Sequence, residues 1–368
     1  MMNRRNEWTP LDWAEAACQA LMERYLPEEL PPAGRWHYHQ GVFLCGMEQV
    51  LHCTGDQRYN EYLKRYVDKL IDPQGNLYFA RDELDAIQPG LLLFRLDQQY
   101  PEDLRYAKAA RKLRCLFDTL NRTSEGGFWH KDKYPYNMWL DGLYMGGVFA
   151  LKYANAFEEP ELRELVLLQE RLMRQHMRDE RTGLLYHAWD ESRQMPWADP
   201  TTGCSPEFWA RSLGWYGLAL SQFLDELPAE EPQLKQLEEA LVQFVHALLP
   251  HQDQATGLWY QVVDKGDRND NWLETSGTSL FIYAIAKAYA RGLVGEAEFA
   301  AAERAYQGLL NMIPQQDSFV LPNICIGTSA GDYENYVTRP VSENDLHGVG
   351  AFILASVAVA QAAHKLAY

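Results

Sequence analysis

An aspartate stands directly before a glycine in the segment KDKYPYNMWLDGLYMGG, where an apolar helix is predicted to begin. Asp141 is flanked there by Trp139 and Tyr144. Aromatic neighbours exclude water, and the loss of water can raise the pKa of a carboxyl group toward the range in which it donates a proton. We therefore expect Asp141 to act as a general acid. The alternative is a first-turn acid that only stabilises its helix.

A second aspartate, Asp85 in RDELDAIQPG, occupies the corresponding place one repeat earlier in the chain. Two acids that face one cleft usually titrate apart, so that one holds a proton while the other stays ionised. The pair would then supply one proton donor and one supporting carboxylate. A helix cap beside Pro89 explains Asp85 equally well from the sequence alone.

A third cluster combines His187 in LLYHAWDE with Trp209, Arg211 and Trp215 in EFWARSLGWYG. An arginine among tryptophans can bind a carboxylate while the indole rings stack on a sugar ring, which is a combination suited to a sugar acid. The alternative for Arg211 is an ion pair within the fold.

The histidines His37 and His39 flank Tyr38 with an HxH spacing, but the sequence offers no third ligand nearby. A catalytic zinc ion needs three protein ligands, so we expect no metal here, and we expect Tyr38 and His39 to line a cleft. The six cysteines are scattered, without CxxC pairs, and are expected to be reduced and mostly buried. No P-loop, GxGxxG or GxSxG motif occurs in the sequence, so we expect no cofactor.

These residues lie at or near the starts of six glycine-led apolar segments with helical spacing. By subtraction the glycines are 49, 52, 72, 63 and 71 residues apart, which leaves room for two helices in each repeat; they are Gly41, Gly90, Gly142, Gly214, Gly277 and Gly348. More highly charged amphipathic helices alternate with these segments. The pattern predicts an all-α array of six helical hairpins that can close into a ring around one central cleft.

Four short stretches between the helices repeat a glycine, aromatic residues and then charge; they begin at Gly75, Gly126, Gly183 and Gly257. Each predicts a turn followed by a short extended segment at one rim of the ring, where the site should lie.

The composition fits one domain over residues 1–368, with 47% hydrophobic residues and no linker-like stretch. A formal net charge of -17 would repel the phosphate backbone of a nucleic acid. The absence of an apolar run near 18 residues argues against a membrane span, and the first residues lack the pattern of a secretory signal. We therefore expect a cytoplasmic protein with no nucleic-acid or membrane partner.

The motifs MWLDGLYM, GLLYHAWDE, WARSLGWYG, GLWYQVVDKGDR and HGVGAF occur in an order that resembles the unsaturated rhamnogalacturonyl hydrolases of glycoside hydrolase family 105, which are related to the unsaturated glucuronyl hydrolases of family 88. The resemblance runs from about Trp36 to about Ala360. It implies an (α/α)6 barrel, and an intracellular enzyme that removes a 4,5-unsaturated uronic acid from the end of lyase-generated oligosaccharides.

The resemblance also implies roles for residues. Asp141 would be the general acid and base, with Asp85 as the earlier aspartate of the site. The substrate-binding residues would be Tyr38, His39, Lys133, Trp139, His187, Trp209, Arg211, Trp215 and His347. Contacts from the segment TSAGDYENYVTRPVSENDLHG stay unassigned.

The ligand expected on this basis is a small anionic oligosaccharide, with unsaturated galacturonic acid linked to rhamnose as the first choice, and the protein is expected to be a monomer or homodimer. An unsaturated glucuronyl hydrolase, another (α/α)6 enzyme such as an epimerase or inverting glycosidase, and a non-catalytic carbohydrate-binding toroid are the alternatives.

Overall fold

A computed structural model describes residues 7–78, 80–316 and 318–363 of the chain. Over these described residues, six outer helices alternate with six inner segments. The outer helices are α1 (Pro10–Arg24), α3 (Gln57–Leu70), α6 (Arg105–Thr119), α8 (Glu161–Met177), α10 (Leu234–Leu248) and α12 (Glu296–Met312). The inner helices are α2 (Tyr38–Thr54), α5 (Leu91–Gln99), α7 (Asp141–Ala156), α9 (Ala210–Glu226), α11 (Thr275–Ala290) and α14 (Leu346–Ala363).

The inner helices form a closed ring, since each packs against the next and α14 packs back against α2. Each of the six predicted glycines lies in an inner helix or directly before one. The second inner segment is divided, because a short helix α4 (Leu84–Ile87) and a 3₁₀ turn (Gln88–Gly90) that contains Pro89 precede α5. The predicted all-α (α/α)6 barrel is confirmed.

The two layers differ in how much of each helix is buried. Outer helix α3 buries one face through Tyr59, Leu63, Tyr66 and Leu70 and exposes charged residues between them. Inner helix α14 is buried on nearly all sides. With a mean hydropathy of 1.7 it is long and apolar enough to cross a membrane, which corrects the expectation that the chain has no such run, but 83% of it is buried inside the barrel.

One rim of the barrel carries the turns and short strands. Gly75, Gly126, Gly183 and Gly257 all have positive φ (74°, 93°, 77° and 78°), which glycine adopts without a steric penalty, as the repeated turn pattern predicts. Strand β1 (Asn137–Trp139) pairs antiparallel with β2 (Ala188–Asp190), and β3 (Ile324–Cys325) pairs with β4 (Val341–Ser342). A short helix α13 (Tyr333–Val337) lies between β3 and β4.

The middle of the barrel is filled by two stacked aromatic rings. Trp215 lies parallel to Tyr144 with ring centroids 5.2 Å apart, and Gln88 donates a hydrogen bond to the Tyr144 hydroxyl at 3.2 Å. On the rim side Trp215 meets the edge of Tyr38, and on the far side Tyr144 borders a second cavity of about 320 Å³ with Glu48 in its wall. The two cavities share no lining residue, and the Trp215–Tyr144 pair lies between them.

The six cysteines are unpaired, as expected. Four of them are buried and two are exposed; the exposed ones are Cys53 and Cys115.

Candidate active site

A cleft of about 320 Å³ opens at the rim that carries the turns. Seven of the residues expected from the sequence line it, namely Tyr38, His39, Asp85, Lys133, Trp139, Asp141 and Trp209. The other four lie behind this lining and are no more than 1% exposed; they are His187, Arg211, Trp215 and His347. The four buried residues can support the cleft surface but do not form it.

Asp141 is the first residue of α7, and strand β1 leads directly into it. Because β1 pairs with β2, the start of β2 is fixed beside it, and the Leu140 amide donates to the His187 carbonyl at 3.1 Å. This pairing brings His187 Nε2 to 3.2 Å from Asp141 Oδ2. Both atoms are buried, and neither has a well-aligned hydrogen-bond partner among the described residues, each other included.

His187 itself is held from its other side. Its Nδ1 lies 2.7 Å from the hydroxyl of Tyr336, and its ring packs at 4.6 Å from that of Trp209 and at 5.2 Å from that of Trp139. The imidazole is therefore fixed in orientation, with Nε2 directed at the carboxylate of Asp141.

The ionisation of Asp141 differs from the expectation. Burial pushes the pKa of Asp141 upward, but the contact with His187 outweighs it, so that the pKa lies below its ordinary value. The aromatic flanks exclude water as predicted, but they do not raise the pKa, because the polar neighbour His187 is buried together with the acid.

Asp85 is surrounded by basic groups rather than placed as a simple helix cap. The Lys131 ammonium is hydrogen-bonded to it, His130 Nε2 lies at 3.4 Å and His37 Nε2 at 3.7 Å. Burial raises the pKa of Asp85, but these neighbours bring it down to about 2. Burial lowers the pKa of His130 to about 4 and that of His37 to about 3, so both are neutral at pH 7 and Lys131 supplies the positive charge.

Arg211 does not present its guanidinium to the cleft, which corrects the expectation that it receives the ligand's carboxylate. Its Nη1 donates to the Cys325 carbonyl at 2.6 Å and its Nη2 to the Ile326 carbonyl at 2.7 Å, while Glu274 lies 4.0 Å away. The guanidinium also lies over the Trp209 ring at 4.3 Å. The arginine thus holds the loop after β3 against the wall of the cleft.

His37 and His39 belong to different clusters, although they are two residues apart. His37 joins Glu83 and Asp85, whereas His39 joins Asp345 and His347. The third group that the sequence did not offer near His39 therefore comes from the start of α14, about 300 residues later.

Several cleft residues were not identified from the sequence. His130 and Lys131 directly follow the aromatic pair of GGFWHKDKYPY, and that repeated position was a usable signal. Arg339 and Tyr336 lie in the unassigned segment, which has no counterpart in the other repeats. Arg339 donates to the Gly327 carbonyl and to Thr328 Oγ1, and so orders a loop that forms part of the cleft lining.

Comparison with known proteins gives consistent results. The model of Glycosyl Hydrolase Family 88 matches residues 13–363. A solved glycoside hydrolase from family 105 of C. acetobutylicum ATCC 824 is 33% identical, with a TM-score of 0.89 over 94% of this chain and 98% of that one. The unsaturated rhamnogalacturonyl hydrolase YesR of Bacillus subtilis (strain 168) is 25% identical over 270 residues, which are 72% of this chain and 74% of that protein.

A more distant structure has the same fold. The unsaturated glucuronyl hydrolase of Bacillus sp. GL1, described as responsible for the degradation of glycosaminoglycan, is 13% identical with a TM-score of 0.70 over 95% of each chain.

Proposed function

The chain is a glycoside hydrolase that belongs to glycosyl hydrolase family 88, and from this premise we propose that it removes a 4,5-unsaturated uronic acid from the end of short oligosaccharides. The observation that carries the proposal is the carboxyl group of Asp141, buried against His187 in the wall of an aromatic cleft. The similarity to the family 105 glycoside hydrolase and to YesR supports the same reaction.

The reaction uses the double bond of the sugar rather than displacement at the anomeric carbon. Protonation of C4 in the enol ether leaves an oxocarbenium-like centre at C5, which water attacks. Loss of a proton from that water gives a hemiketal at C5. Its ring opens to a ketone at C5 and a hemiacetal at C1, and the hemiacetal breaks down to an aldehyde with release of the remaining oligosaccharide as an alcohol. One acid that gives a proton to C4 and later takes one from water is sufficient, in contrast to the usual two-carboxylate glycosidase.

Asp141 must hold the proton that the first step needs, and His187 orients it. When the Tyr336 hydroxyl donates to Nδ1 of His187, the single proton of the neutral imidazole lies on Nε2, on the side of Asp141, and stays on that ring. A sugar bound in the cleft would displace water and so raise the pKa of Asp141, and the carboxylate would then take up its proton from solvent as the substrate binds. Asp85, kept ionised by Lys131, is the supporting carboxylate.

The carboxylate of the sugar needs a cation, because the whole molecule is strongly negative. Lys131 is already bound to Asp85 and Glu83, whereas Lys133 is exposed at the mouth of the cleft with its ammonium 4.6 Å from the centre of the Tyr134 ring. We assign the uronate contact to Lys133 instead of Arg211. Trp139 and Trp209 can contact the sugar only over the small part of each ring that is exposed, because His130 and Tyr134 pack on Trp139, and Arg211 and Tyr336 pack on Trp209.

The preferred substrate is unsaturated galacturonic acid linked to rhamnose, in line with the relative YesR. Unsaturated glucuronyl disaccharides are the second candidate, in line with the shared fold. A panel of both disaccharides, followed by the loss of alkene absorbance, distinguishes them.

The proposal is tested by Asp141→Asn. Turnover should fall at least about a hundredfold, the lower range for loss of a general acid. The control is Asp118→Asn on the outer helix α6, where the carboxyl is 62% exposed and paired with Arg114; this variant should keep wild-type turnover. A near-normal rate in Asp141→Asn refutes the assignment. Cleavage of saturated disaccharides by the wild type would favour ordinary glycoside hydrolysis, and binding without turnover would favour a non-catalytic toroid.

A further inference from the structure

At the edge of the cleft, one aspartate lies between two histidines from distant parts of the chain. Asp345 Oδ1 is 2.8 Å from Nδ1 of His347 and 3.3 Å from Nδ1 of His39. His347 is fully buried, while the side chains of His39 and Asp345 are each 17% exposed. The cluster is therefore built into the fold on one side and open to solvent on the other.

The hydrogen bonding of His347 leaves one of its nitrogens without a donor or acceptor role. Its Nε2 is 3.1 Å from the Cys325 carbonyl oxygen in good geometry, so the Nε2 proton is donated there. In the neutral ring Nδ1 then carries a lone pair, and it makes no hydrogen bond to any described residue. Two electron-rich atoms, Nδ1 and Asp345 Oδ1, thus face each other at 2.8 Å.

Such a contact is stable only with a positive charge between or beside the two atoms. The charge can be a second proton on His347 or a metal ion. A metal ion would accept both lone pairs.

One of the ligand distances already suits a tetrahedral ion. Ligands about 2.1 Å from zinc lie roughly 3.4 Å from one another, close to the 3.3 Å between His39 Nδ1 and Asp345 Oδ1. The 2.8 Å between His347 Nδ1 and Asp345 Oδ1 would lengthen when an ion binds between them. Two imidazoles and one carboxylate form a known zinc ligand set, with the fourth position left to water or another ligand. A metal-bound histidine usually donates its other N–H to a carbonyl or carboxylate, as His347 does to Cys325.

We propose that His39, Asp345 and His347 bind a first-row divalent metal ion of the zinc type. The ion enters from the cleft and connects the start of α2 with the start of α14, the two helices that close the ring. Arg211 donates to the same Cys325 carbonyl, but Glu274 lies 4.0 Å from its guanidinium and offsets its charge. The site therefore does not face an uncompensated cation.

The neighbouring cluster of His37, Glu83 and Asp85 is a natural comparison. It also brings three potential ligands together, but the Lys131 ammonium already lies against both of its carboxylates. A divalent ion would have to displace that lysine. We therefore expect metal binding at His39 and not at His37.

The test is a titration of the metal-free protein with Zn²⁺. Calorimetry measures the binding, and the midpoint of thermal unfolding (Tm) measures the gain in stability. The wild type should bind one equivalent and gain a few degrees in Tm, because an ion that binds only the folded state stabilises it. His39→Gln and Asp345→Asn should each weaken Zn²⁺ binding at least about tenfold, whereas the matched control His37→Gln should bind like the wild type. Mg²⁺ should give no shift, because it prefers an all-oxygen site.

Three results overturn the proposal. The first is a wild type that shows no saturable Zn²⁺ binding. The second is a His37→Gln variant that loses as much Zn²⁺ affinity as His39→Gln. The third is a nitrogen NMR spectrum in which His347 is doubly protonated at pH 7 in the metal-free protein and does not change when Zn²⁺ is added. Circular dichroism verifies that each variant is folded. The Zn²⁺ titration uses no sugar, so its outcome does not depend on the outcome of the Asp141→Asn turnover assay.

Discussion

The carboxyl groups of Asp85 and Asp141 have different partners, and the partners determine how readily each group can change its protonation state. Asp85 faces an ammonium group that is positive at any physiological pH, so it stays ionised. Asp141 faces the ring nitrogen of His187 at 3.2 Å, and no lysine or arginine lies within ion-pair distance of it among the described residues. Only the second arrangement suits an acid that must alternate between two protonation states.

Buried neutral histidines should make the protein sensitive to mild acid. Burial lowers the pKa of His130 from 6.5 in the unfolded chain to about 4 in the fold, so unfolding takes up a proton between these values. Stability is unaffected above about pH 6.5 and falls as the pH drops toward 4. From pH 7 to pH 5 this histidine alone should remove about 2 kcal/mol from the free energy of unfolding. Urea denaturation at the two pH values measures the loss.

The matched variant is His130→Asn, which lacks the titrating group. Its free energy of unfolding should fall by about 2 kcal/mol less over the same interval. Asp85 does not contribute to the difference between pH 7 and pH 5, because its lowered pKa affects the free energy of unfolding only between about pH 3.8 and 2. Equal losses in wild type and variant would show that His130 is not the group responsible.

At the residue scale the sequence predicts Asp85 and Asp141 in one cleft, where the structure places them, but it does not identify several of their neighbours. Asp141 was identified because its aromatic and glycine neighbours are adjacent in the chain. The environment of Arg211 was not predictable, since the carbonyl groups that bind it belong to Cys325 and Ile326, more than 100 residues later. Contacts between residues so far apart in the chain form only when the ring of helices closes, and ring closure leaves no local pattern in the sequence.

At the scale of elements, the inner helices approach one another closely where glycines remove side chains. A Cβ atom at Gly350 of α14 would lie 2.6 Å from backbone atoms of Val42 and Phe43 in α2. Backbone atoms cannot move aside without separating the two helices. Gly350→Ala should therefore lower the free energy of unfolding by at least about 2 kcal/mol, the range of overpacked cores.

Gly55→Ala provides the comparison for this change. Gly55 ends α2 with φ of 71° and has open space around its Cα, so alanine there meets only the cost of a left-handed backbone, about 1 kcal/mol. Urea midpoints of both variants measure the two effects. A Gly350→Ala protein no less stable than Gly55→Ala would contradict a tight contact between α2 and α14.

The helices themselves were largely predictable, because each hairpin repeats the same alternation of amphipathic and apolar segments. The exception is the second inner segment, which the structure divides into α4, a 3₁₀ turn and α5 at Pro89. Proline has no amide proton to donate within a helix, so the division has a local cause. The segment between β3 and α14 was unpredictable because no repeat resembles it.

At the scale of the whole molecule, the last described helix closes the ring against the first two. Helix α14 packs against both α1 and α2, so no subset of hairpins is complete without the others. We therefore predict one cooperative unfolding transition for the chain. Far-ultraviolet circular dichroism, which follows the helices, and fluorescence of the 11 tryptophans should give coincident midpoints.

Both unfolding measurements should be made in the presence of a reducing agent, because the exposed thiols of Cys53 and Cys115 could cross-link unfolded chains. Two separate transitions would show that the chain holds more than one folding unit.

The cavity beyond Trp215 and Tyr144 shares no lining residue with the cleft, so the cleft has one mouth for entry and exit. Under the proposed function, a long sugar chain would insert only its terminal sugar and leave the rest outside. The released monosaccharide would then leave through the same mouth before the next substrate enters, and a longer oligosaccharide should gain little affinity.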